Sequence, residues 1–170
     1  MIAEIEGAMR ASLHLSVATS AAYDALHIHL HGDHETVPPV LVPWPQDVQV
    51  LRDVWDRRWD ALMMFESERH HAVRNLLLQL ESGQRKGLRG LGGLRMSLYN
   101  VECFAWLESN AWQALCAASE AHADLAILCQ EFAKLRMAES EADARMVDGV
   151  RRLLLVLPSV VATSQSASVR

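Results

Sequence analysis

Trp55-Asp56-Arg57-Arg58-Trp59-Asp60-Ala61-Leu62-Met63-Met64-Phe65-Glu66-Ser67-Glu68-Arg69-His70-His71 is the stretch on which the reading of this chain turns. It lies in a long run free of Gly and Pro. Apolar residues recur around it at helical spacing: Leu51, Trp55, Leu62, Phe65, Val73, Leu76, Leu80. In the middle of that apolar face stand Glu66 and Arg69, with His70 at its edge. A helix that turns one face to a core does not spend positions there on charges without a reason, because an unpaired buried charge costs several kcal/mol. Trp55 and Trp59 read as core anchors.

Outward from this stretch the chain reads as helix throughout. The 170 residues suffice for one domain with a real core. Leu and Ala dominate and β-branched runs are rare, which favours α over β structure. The first helix spans about residues 2–30, with the stripe Ile5, Met9, Leu13, Ser16, Ser20, Tyr23, His27, Leu30, and Gly32 ends it. A proline-rich linker, 32–46, carries Pro38, Pro39, Pro43 and Pro45. Extended, it reaches about 45 Å, enough to cross the length of a bundle. The second helix starts near Pro45 and ends at Ser82-Gly83. The basic, glycine-rich segment 84–93 lacks the ending of a phosphate-binding loop and reads as an inter-helix connection.

From Leu94 to Leu157 no Pro interrupts the chain, and a single helix there would be about 95 Å long. Two apolar stripes out of phase, one through Leu98, Val101, Trp112 and Cys116 and one through Leu125, Cys129 and Phe132, place a turn near 117–124 with Ser119 as N-cap. That gives a third helix over about 94–118 and a fourth over about 121–157. The expected fold is all-α, a four-helix bundle of long helices over residues 1–158 with a frayed tail from 159 to 170. A second apolar strip on the third helix, Phe104, Leu107, Ala111 and Leu115, suggests a homodimer through that helix.

Composition closes several alternatives. A net charge of −5 argues against a general grip on nucleic acid. The three cysteines, Cys103, Cys116 and Cys129, have no metal-type spacing and suit a reducing, cytoplasmic setting. No signal peptide and no membrane-length apolar run are visible. No nucleophile elbow, dinucleotide fingerprint or haem attachment motif is present.

Helical projection turns several polar residues inward: Glu66, Arg69 and His70 on the second helix, Glu102 on the third, and Arg136, Glu139 and Asp143 on the fourth. In antiparallel packing Glu66, Glu102 and Glu139 fall at one height. Bundles that bind two iron or manganese ions place a Glu on each of two helices and a Glu-x-x-His on the others, and these three acids resemble the carboxylate part of that pattern. His70, Asp143 and, from the first helix, Asp24, His27 and His31 are candidates to complete a site for Fe, Mn or Zn. The pattern is broken where Arg69 stands three residues after Glu66 and Ala142 three after Glu139. Glu68-x-x-His71 matches the short motif but points away from the core. The alternative is internal neutralisation, in which Arg69 and Arg136 pair with the acids and the layer sets the register of the bundle. A small-molecule or anion pocket using the arginines is a third possibility. The first helix bears on the choice: run parallel to the second, it brings Asp24 and His27 level with Glu66; run antiparallel, it leaves them at one end. The functional expectation is a helical interaction or binding protein with a buried Glu/Arg/His layer. The alternative is a ferritin-like metal-binding bundle.

Overall fold

The computed structural model describes residues 1–31, 46–83, 88, 90–119 and 123–166. Four α-helices account for them: α1 (Ile2–His31), α2 (Gln46–Glu81), α3 (Leu91–Ser119) and α4 (Ala123–Ser166). No strand occurs among the described residues. The fold is the expected all-α four-helix bundle. The break between the third and fourth helices falls within the expected 117–124, but Ser119 is the last residue of α3 and not the N-cap of α4, which begins at Ala123. The fourth helix, however, runs past Leu157 and through Pro158 to Ser166. The linker 32–45 and most of the basic segment, 84–87 and 89, lie outside the described residues. Gly83, with φ of 74°, ends α2 in the left-handed region that favours glycine.

The helices alternate in direction. Ile5 packs at Gly149 and Ser12 meets Asp143, so α1 is antiparallel to α4. Trp55 reaches Glu108 and Phe65 stacks near Phe104, so α2 is antiparallel to α3. Glu66 meets Arg136 and Arg69 meets Asp143, so α2 and α4 run parallel. The bundle is therefore up-down-up-down, and α1 is antiparallel to α2.

The buried positions follow alternating steps of three and four, the spacing of helices that interlock at a shallow angle. On α2 these are Trp55, Trp59, Leu62, Glu66, Arg69, Val73 and Leu76; on α4 they are Cys129, Phe132, Glu139, Asp143, Met146, Val150 and Leu153. On α1 the buried residues are Ile5, Ser12, Thr19 and Leu26, seven apart, while Leu13 is exposed. This corrects the stripe drawn through Leu13, and the reason is steric. α1 lies close against α4, and small residues facing in permit that approach: Ser12 and Thr19 on one side, Ala142 and Gly149 on the other. A Cβ at Gly149 would come within 2.7 Å of Ile5 Cγ1.

The core has two apolar ends. Leu26, Trp55, Trp59, Leu115 and Phe132 fill one. Aromatic rings meet there at centroid distances near 5 Å, with Trp55 edge-on to Phe132 at 5.3 Å. Ile5, Val73, Leu77, Leu94, Met146 and Val150 fill the other. Between them, where a bundle of this length would ordinarily continue with Leu and Ile, lies a layer of charge.

Candidate functional site: an ionic layer beneath the groove between α3 and α4

Six charged side chains in this layer are buried or nearly so: Glu66, Arg69, Glu108, Arg136, Glu139 and Asp143, with His70 beside them. Each is placed by the three-and-four spacing of its helix, so the backbone leaves it no outward alternative. Arg136 is the hub. Its Nη2 donates to Glu66 Oε1 at 2.9 Å and its Nη1 to Glu139 Oε2 at 3.0 Å. Its guanidinium carbon also lies 5.5 Å from the centre of the Trp59 ring, a cation–π distance. Arg69 Nη2 donates to Asp143 Oδ2 at 2.5 Å. Trp55 Nε1 donates to Glu108 Oε1 at 2.8 Å.

Burial sets the electrostatics. Desolvation pushes the Glu66 carboxyl up to about 7, against the pull of Arg136 in the other direction; Asp143 and Glu139 add to the rise. Burial also raises Glu108, opposed by the Trp55 hydrogen bond and by Arg136. The acids around Arg136 hold its pKa above the usual value despite its burial. His70 is lowered, first by burial and then by the charge of Arg69.

A second cluster adjoins the first. Ser12 Oγ lies 2.8 Å from His70 Nε2 and donates to Asp143 Oδ1 at 2.5 Å. His70 Nδ1 lies 2.8 Å from the carbonyl oxygen of Glu66. The trio of residue types is that of a hydrolytic triad, but the geometry differs. In a triad the carboxylate holds one ring nitrogen and the serine the other. Here Ser12 and Asp143 both lie on the Nε2 side, and Ser12 is fully buried.

The residues singled out from sequence divide clearly. Glu66, Arg69, His70, Arg136, Glu139 and Asp143 come together. Glu102 does not: it is 54% exposed and pairs with Arg151 at the surface. The acid that α3 turns inward is Glu108, seven residues after Val101, while Glu102 sits one residue, about 100°, off that line. Asp24 is exposed, and His27 lies 3.8 Å from Asp56 at the aromatic end. The antiparallel course of α1 puts both remote from Glu66. The side chain of His31 lies outside the described residues. Glu68 and His71 are on the outer surface, as the projection required. Ser12 and Glu108 were not singled out. The signal for each was the strict seven-residue interval, 5-12-19-26 and 94-101-108-115, which stays on one face with a drift of only about 20° per repeat.

No three of His, Cys, Asp and Glu among the described residues converge as a metal ion would require. Arg69 and Arg136 supply the positive charge beside Asp143, Glu66 and Glu139. What the layer does offer is access through the groove between α3 and α4. These two helices, like α1 and α2, approach each other far less closely than α2 and α3 or α1 and α4. The groove between them holds a cavity of about 650 Å³ lined by Glu108, Trp112, Arg136 and Met137. A smaller cavity of about 240 Å³ reaches Glu66, Arg69 and Asp143. Met137 of α4, at the edge of the larger cavity, is 64% exposed, and on α3 Tyr99 and Trp106 are 61% and 68% exposed.

The class defined by this architecture is an antiparallel four-helix bundle with an ionic core layer. A scan against protein-family models finds no match to the chain, and searches among curated proteins and solved structures return none.

Proposed function

We propose that this chain is a non-enzymatic helical interaction protein that associates through the α3 side of the bundle, with a second copy of itself as the partner. The ionic layer fixes the register of the helices and so the shape of that face. The observation that carries this reading is the exposure of Trp106 and Tyr99, two turns apart on α3. Scattered exposed apolar residues are ordinary, but large aromatics two turns apart on one helix face are the composition of an interface centre. The strip first suspected for this role contributes less, since Ala111 and Leu115 are buried within the bundle. The pairing of Glu66, Glu139 and Asp143 with arginines supports a structural layer over a metal site. A cytoplasmic setting fits the three free cysteines.

Light scattering and sedimentation of the full chain test this. The wild type is expected at twice its 19.0 kDa mass, and Trp106→Glu at the single mass with unchanged helical circular dichroism. A wild type that stays at the single mass at every concentration up to about millimolar overturns self-association.

A further inference from the structure

The Ser12, His70 and Asp143 contacts contain more short links than they have hydrogens to fill. His70 Nδ1 faces the Glu66 carbonyl oxygen at 2.8 Å, and a carbonyl can only accept, so Nδ1 carries a hydrogen. The remaining chain is Nε2, Oγ, Oδ1, with links of 2.8 and 2.5 Å. Two such links need two hydrogens. The serine hydroxyl supplies one. A neutral imidazole has none left at Nε2, and an ionised carboxylate has none at Oδ1. Without a second hydrogen, one link sets lone pair against lone pair inside a site where Ser12 is 0%, His70 8% and Asp143 6% exposed. We propose that Ser12, His70 and Asp143 together hold one proton beyond a neutral ring and an ionised carboxylate, and that this proton is a pH-sensitive latch closing α1 onto α2 and α4.

The carboxylates around the cluster pull the same way, against burial and the charge of Arg69, which favour a neutral ring. His70 faces Ser12 from α1, Glu66 and Arg69 on its own helix, and Asp143 and Glu139 from α4. Glu108 of α3 joins the same field through Arg136. Four buried carboxylates stand against two guanidiniums, so the layer carries an excess of negative charge that a bound proton reduces. α1 contributes only Ser12 to the cluster. Losing the proton leaves Nε2 and Oδ1 competing for one hydroxyl hydrogen. Withdrawal of α1 around Ser12, which lets water in, satisfies both.

The sign follows from linkage. An unfolded or opened chain holds this proton only below the ordinary histidine value of about 6.5. In the closed bundle the two short links, which cannot both form without it, hold it to higher pH against the burial and the Arg69 charge that lower His70. Closure is therefore fully favoured below about 6.5, and the opening constant grows about tenfold per pH unit from there up to the cluster's own value, above which it levels off. Glu66 titrates with the same sign, so a Glu66→Gln variant separates the two.

The test uses the full chain from pH 6 to 10. Ring ¹⁵N shifts of His70 and the ¹³Cγ shift of Asp143 locate the proton, and amide hydrogen exchange around Ser12 follows the latch. At pH 6–7 the ring and carboxyl shifts together are expected to show one proton more than a neutral ring and an ionised carboxylate account for. One titration should remove that proton, with α1 exchange rising about tenfold per pH unit over the intrinsic base-catalysed rate up to its midpoint and following the intrinsic rate alone above it. Glu66→Gln should keep this dependence and Ser12→Ala should lose it. A neutral His70 protonated at Nδ1 alone beside an ionised Asp143 at pH 6–7 overturns the proposal. So does α1 protection unchanged through the titration, or a pH dependence abolished by Glu66→Gln.

Discussion

Replacing Arg136 with Met isolates the energetic role of the layer. The arginine is shared by Glu66 at 2.9 Å and Glu139 at 3.0 Å. Glu139 is fully buried, and its second oxygen, Oε1, already lacks a hydrogen-bond partner. Methionine fills similar space and keeps the contact with Trp59, so packing changes little. What changes is that two buried carboxylates lose their counter-charge. Breaking a buried ion pair from one side costs about 3–5 kcal/mol, a large part of the 5–15 kcal/mol by which domains are ordinarily stable. For a chain of this size that lowers the melting temperature by about 10 °C. The loss should depend on pH. Glu66 sits near 7 even with Arg136 beside it, and removing a charge that lowers it raises it further. A folded-state value above the unfolded carboxyl value stabilises below the unfolded value and is lost as pH rises through the folded one. The deficit of Arg136→Met relative to the parent is therefore greatest near pH 8 and shrinks toward pH 5. Urea unfolding at both pH values measures it. A variant within about 1 kcal/mol of the parent at pH 8 refutes the reasoning, because it means the acids need no partner.

Two further substitutions probe the packing around the layer. Gly149→Ala improves helix propensity by about 1 kcal/mol at an exposed site. Here its Cβ meets Ile5, so a net loss of about 1–3 kcal/mol by thermal unfolding is expected, relieved when Ile5→Ala is added. Trp55→Phe keeps the ring against Phe132 but removes the donor to Glu108, and should cost about 1–3 kcal/mol in urea unfolding. It should also raise the Glu108 pKa, followed by its ¹³Cδ shift.

The helices were legible because each carries an unbroken periodic stripe, and the break after Ser119 because two stripes disagree in phase. The ionic layer was legible on α2 and α4, where Glu66, Arg69, Glu139 and Asp143 interrupt runs of large apolar residues. On α1 and α3 it was not. Ser12 is small and marks no interruption, and Leu13 next to it drew the stripe the wrong way. On α3, Glu102 and Glu108 both border apolar positions, and only the tighter seven-residue repeat of interlocked helices separates the surface acid from the buried one. The direction of α1 was open in the sequence, because the linker from 32 to 45 is long enough for either course. Tertiary contacts decide it, at Ser12 with His70 and at Tyr23 with Asp56.

The most direct test of the account replaces the hub itself with apolar residues: Glu66→Leu, Arg136→Met and Glu139→Leu in one chain. A layer that only sets register can be exchanged for apolar packing at little cost or with a gain. The expected result, by urea unfolding and sedimentation at pH 7, is a folded bundle at least as stable as the parent, with the same association as the wild type. A well-folded variant that no longer associates would contradict the account, because it would place the partner's binding energy in the charges and not on the α3 face.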